Sequence, residues 1–126
     1  MKKQLFFLFC ISFIFLACTE DNTSINITVK NKAGIVQPNV LVYEFEYPST
    51  HQYGSSPFYA NTHKLTNNQG VAQFDLQGYE FNTDSTLTTL YFTVFDETST
   101  SNEAIGSVST TFKKGDIVSE DLIINQ

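Results

Sequence analysis

The sequence predicts an all-β domain, a seven-stranded β-sandwich behind a secretory leader. Apolar residues recur at period two in short runs, as in Ile25, Ile27 and Val29 against Asn26, Thr28 and Lys30, which is the signature of half-buried strands. Turn-forming clusters such as Asn31-Lys32-Ala33-Gly34 and Asn67-Asn68-Gln69-Gly70 separate those runs. No convincing helical period follows the leader. Many short strands divided by turn signals indicate a sandwich, although spacing alone does not choose its topology. A chain of 126 residues has room for one such domain.

The N-terminus carries Lys2 and Lys3, then an apolar run over residues 5–16. This basic segment and short apolar segment form the pattern of a secretory signal. The run is too short for a comfortable membrane span, which takes ~20 apolar residues. It ends Phe15-Leu16-Ala17-Cys18, which resembles the bacterial lipoprotein signal, departing from it at Phe15 and Leu16. The resemblance implies that residues 1–17 are a signal peptide and that Cys18 is lipidated and becomes the new N-terminus. Cys10 would leave with the leader, so the mature domain would hold no disulfide, thiol nucleophile or cysteine metal site. Glu20-Asp21 directly after the cysteine resembles the short acidic tag that sends some lipoproteins to the outer face of the outer membrane. The expected location is therefore the cell envelope, as an outer-membrane lipoprotein displayed at the surface.

Residues 18–24 read as the lipidated cysteine and a polar tether, and 25–126 as the domain. The first strand runs through Ile25, Ile27 and Val29. A second covers 40–47, with Leu41, Tyr43, Phe45 and Tyr47 on one face and Val40, Val42, Glu44 and Glu46 on the other. Residues 48–59 have no period and contain two prolines, a glycine and three aromatics; loops of that length are often functional. A strand over 60–66 leads into Asn67-Asn68-Gln69-Gly70, read as a hairpin turn with Gly70 at positive φ. Ala72, Phe74 and Leu76 then share one face. After a loop around 82–86 comes the strongest strand, 87–95, with Leu90, Phe92 and Val94 on one side. Residues 105–112 form a strand with Gly106 as a bulge. Lys113-Lys114-Gly115-Asp116 is a tight turn, and 117–124 closes the domain.

From Ile25 to Leu76 the order is strand, glycine turn, Pro38-Asn39-Val40-Leu41-Val42, variable loop, then Thr66-Asn67-Asn68-Gln69-Gly70-Val71-Ala72-Gln73-Phe74. This resembles the transthyretin-like, or carboxypeptidase-regulatory-like, domain, and the likeness extends over about residues 25–126. It implies a Greek-key sandwich of Ig-like kind, used as an accessory, adhesive or scaffold module. It also implies that Val40, Val42, Ala72 and Phe74 lie in the core, leaving the Leu41/Tyr43/Phe45/Tyr47 face partly exposed. The hydrolase branch of that family is not matched, since its histidine and arginine constellation finds no arginine here.

Charge argues against nucleic acid. The chain carries −6. Without Lys2 and Lys3, five lysines face 13 acidic residues, or −8, so no basic patch can neutralise phosphates. The membrane contact would come from the lipid on Cys18 alone. No nucleophile elbow, phosphate loop or carboxylate pair argues for catalysis or a cofactor. His51 and His63 read as solvated, and no calcium loop joins Asp75, Asp84, Asp96-Glu97 or Glu120-Asp121. The candidate ligand-binding residues are His51, Tyr53, Phe58 and Tyr59 in the irregular loop. The expected role is a non-enzymatic, lipid-anchored accessory module that binds an envelope protein or acts as a spacer. The alternatives are a surface carbohydrate-binding module built on the loop rings, and a lipoprotein docking a secretion or envelope machine.

Overall fold

The structure is a computed structural model, and it describes residues 22–81 and 86–126. The signal peptide, Cys18 and most of the tether and of the 82–86 loop lie outside the described residues. Seven strands follow in order: β1 (Ser24–Asn31), β2 (Leu41–Phe45), β3 (Thr62–Leu65), β4 (Val71–Asp75), β5 (Thr88–Phe95), β6 (Ala104–Phe112) and β7 (Ile117–Ile124). They form a three-stranded sheet, β4-β1-β7, and a four-stranded sheet, β3-β2-β5-β6. The β1–β7 pair is parallel and the other pairs are antiparallel. No described helix is long and apolar enough to cross a membrane.

The inward faces match the period-two reading. Ile25, Ile27 and Val29 of β1, Ala72 and Phe74 of β4, and Leu122 and Ile124 of β7 face Val42, Leu90, Phe92, Val94 and Phe112 across the sandwich. Phe74 and Phe92 meet at 4.9 Å between ring centroids. Val40 and Val42 are on the core side of the second strand, as the family resemblance implies. The opposite face is less open than expected. Phe45 is buried and pairs edge-on with Phe95, which also takes the Tyr43 ring edge-on at 5.5 Å. Neither Phe45 nor Phe95 belongs to the cluster between the sheets.

Two readings are corrected. The turn at Asn67–Gly70 closes as expected, with Gly70 at φ +74° and its N–H on the Asn67 carbonyl. It is not a hairpin, because β3 and β4 belong to different sheets. Thr66 explains the switch: its buried hydroxyl donates to the Gln37 carbonyl and accepts from the Val40 N–H, fixing the chain where it leaves one sheet. The first strand also begins before Ile25. Ser24 is already in β1, and Thr23 is buried, its Oγ1 accepting from the Gly115 N–H at 2.8 Å and its carbonyl from the Leu76 N–H. A polar residue at the start of the described chain is thus held by the last turn of the fold.

Gly106 sits at an irregularity, where Val94 faces Gly106 but Phe95 faces Ala104. A Cβ at Gly106 would lie 2.6 Å from the Ile123 carbonyl oxygen. The glycine lets β6 approach β7 across the sandwich edge, and Asn125 donates to the Ile105 carbonyl there.

Candidate functional site

The irregular stretch after β2 is an ordered aromatic loop. Two short 3₁₀ turns shape it, at Gln52–Gly54 and Pro57–Tyr59. His51 caps the first, its Nδ1 accepting from the Tyr53 N–H at 3.3 Å. Ser56 caps the second, its hydroxyl accepting from the Phe58 N–H, and Pro57 supplies a preset φ at the first position. The His51 N–H reaches back to the Pro48 carbonyl and the Gly54 N–H to the His51 carbonyl. Gly54 is buried so tightly that a Cβ there would lie 2.0 Å from the Pro48 oxygen.

These turns bring the proposed site residues together. His51 stacks on Tyr47 at 4.7 Å and 18°, Tyr53 lies 5.6 Å from His51, Tyr59 meets Tyr53 edge-on at 5.2 Å, and Phe58 meets Tyr59 edge-on at 5.3 Å. The rings form one chain along the surface. Tyr47, Tyr53 and Tyr59 are 46%, 47% and 42% exposed, and Phe58 is 86% exposed. Tyr47 is a member that the sequence reading assigned to the strand face. His63 stands apart, tilted against Tyr43 at 5.5 Å. Both histidines are exposed, and no group of three or more His, Cys, Asp or Glu able to hold a metal occurs among the described residues.

A second feature lies on the inward side of β2. The three-stranded sheet is one strand narrower than its partner, so no strand among the described residues packs squarely over β3, whose four residues are all exposed. A cleft of about 330 Å³ opens between β3 and β4. Glu44 lines it from β2, across from Thr62 and Phe92 in the sheet register. The residue is 4% exposed, and its Oε2 has no hydrogen-bond partner among the described residues. Burial, and secondarily the charge of Glu46, push this carboxyl up to about 7. Burial also raises the Tyr79 phenol on the other wall, with Glu46 and Glu44 adding to it. The sequence analysis places Glu44 only on a face of the second strand. The available signal was its parity with the inward Val40 and Val42.

No protein-family model and no curated protein matches the chain. Among solved structures it is similar to chlorocatechol 1,2-dioxygenase from Pseudomonas putida, at 11% identity and a TM-score of 0.43, over 86% of this chain and 63% of that one. The chain thus spans less than two thirds of that protein's length, and a likeness at this level carries no argument about activity.

Proposed function

We propose that this chain is a lipid-anchored accessory module of the cell envelope, which binds a protein partner through the aromatic loop and performs no catalysis. The observation that carries the reading is the exposed ring chain ending in Phe58, 86% exposed. A phenylalanine ring has no polar tip, so water gains nothing from its display, whereas burial in a partner recovers its full transfer free energy. The loop is already held by its caps and by Gly54, so little ordering entropy opposes association. Aromatic anchors of this kind carry most of the energy in protein interfaces.

The anchor in this reading is Cys18, by its likeness to a lipoprotein signal, and the location is the outer membrane, facing outward by the Glu20-Asp21 tag. The domain is assigned to the transthyretin-like Greek-key sandwiches. Its support is the Thr66–Phe74 motif together with a chain that changes sheets between β1 and β2, β3 and β4, β4 and β5, and β6 and β7.

The test is cross-linking and affinity capture from the envelope with full-length protein and with the Tyr53→Ala/Tyr59→Ala double variant. Capture of a defined protein by the native chain and its loss in the double variant is the expected result. A partner held equally by both refutes the placement. A glycan array run in parallel distinguishes the carbohydrate alternative, for which saturable glycan binding would be lost in the double variant.

A further inference from the structure

We propose that the cleft between β3 and β4, with Glu44 at its floor, binds a primary ammonium group carried on a short apolar stem. The proposal does not depend on the aromatic loop.

Glu44 Oε2 is buried and meets no donor among the described residues. A buried acceptor left unpaired costs about 1–3 kcal/mol, more when charged, so a donor arriving from outside recovers an interaction that the fold forgoes. Glu44 is among the residues lining the cleft, so a small rotation of its carboxylate would present Oε2 to such a donor, and the cleft volume of about 330 Å³ falls at the small end of ligand pockets. Phe74, Leu76 and Tyr79 supply apolar wall for a stem, and Asn61, Thr62 and Asp75 a polar rim.

Charge selects the sign of the guest. The charged and titratable groups around Glu44 are Glu46 on the chain just beyond β2, Lys64 on β3, Asp75 at the end of β4 and Tyr79 after it. The carboxyls outnumber the one lysine, so an anion is disfavoured. A calcium or magnesium ion takes about six oxygen ligands, and no metal-holding group of three or more His, Cys, Asp or Glu exists among the described residues. A guanidinium is best met by both oxygens of a carboxylate. Of the two oxygens only Oε2 is both buried and unpaired among the described residues, and one such oxygen suits a compact, single-point donor, the ammonium. Binding should strengthen as pH rises through about 7, where Glu44 ionises.

The test uses the full-length chain labelled with ¹⁵N and titrated with n-butylamine at pH 8, where the amine stays protonated. Saturable shifts at the amides of Asn61, Thr62, Lys64 and Tyr79, with a roughly millimolar Kd expected of so small a ligand, are the predicted result. They should weaken at least fivefold at pH 5.5, be absent with n-butanol, and vanish in Glu44→Gln while its other amide positions stay in place. Lys64→Gln, which removes the competing positive charge, should tighten binding severalfold. A lysine-containing peptide that binds more tightly than butylamine assigns the ammonium to a protein side chain; the reverse order assigns it to a free amine. Shifts that persist in Glu44→Gln, equal shifts with butanol, or no saturable shift at pH 8 would overturn the proposal.

Discussion

The backbone N–H of Asn61 donates to the carbonyl of Glu44 at 2.9 Å. The same asparagine accepts from the Glu46 N–H through its side-chain oxygen at 3.1 Å. Both ends of the aromatic loop are therefore clamped beside the residue that floors the cleft. The ring chain and the buried carboxylate share one end of β2, and Asn61 is the residue between them.

Phe74 tests the core. It is 1% exposed and packs on Phe92 across the sandwich. Phe74→Ala should cost ~3–5 kcal/mol, comparable to the whole stability of a small domain. Urea or thermal unfolding reads this directly. A variant that melts within a few degrees of the native chain would mean that the Phe74–Phe92 packing contributes little.

The core was legible because its signal is local. Ile25, Ile27, Val29, Ala72 and Phe74 alternate with polar residues, and alternation on a strand translates into one buried face. The sheet change at Thr66 was not legible, since a turn sequence fixes local φ but not which neighbour the next strand joins. Burial of Phe45 on the outward face depends on Phe95, fifty residues further on. The loop residues His51, Tyr53, Phe58 and Tyr59 were legible as a set by their composition, while their order in space required the Ser56 and His51 caps and the close approach at Gly54. Glu44 was hidden by chemistry: a glutamate in a strand reads as a solvent-facing residue, and only the mismatch in sheet width leaves it both buried and unpaired.

Cys18 tests the anchor. Cys18→Ser removes the thiol that the proposed lipid would occupy, and the acidic sequence that follows offers few lysines to hold a membrane. The protein should move from the membrane pellet to the soluble fraction on envelope fractionation. Continued pelleting in the variant would refute lipid anchoring through this residue.

Glu44 makes stability depend on pH. Its carboxyl, ordinarily at 4.5, is raised to about 7 in the fold. Between these values the folded state holds a proton that the unfolded chain has released, so stability falls as pH rises through the window and levels off above it. The full shift corresponds to on the order of 3 kcal/mol at most. Glu44→Gln retains the shape and cannot ionise. It should flatten this part of the profile and be the more stable protein at pH 8. Urea midpoints at pH 5 and pH 8 for both proteins check it, and parallel profiles would contradict the assignment.

Gly54 tests whether the order of the rings, rather than their presence, makes the surface. A methyl group there would sit 2.0 Å from the Pro48 oxygen and 2.7 Å from the Tyr47 oxygen, both backbone atoms that cannot swing aside as a side chain can. Gly54→Ala must therefore open the first 3₁₀ turn, breaking the Gly54-to-His51 hydrogen bond and with it the Tyr47–His51–Tyr53 stack. The sandwich core contains none of these residues, so far-ultraviolet circular dichroism should keep its strand signal. The tyrosine signal in the near ultraviolet should change, amide exchange over residues 48–60 should quicken, and capture of the partner should fall at least tenfold with all rings still present. Native near-ultraviolet dichroism together with native capture in Gly54→Ala would show that the packed loop is not what the partner reads.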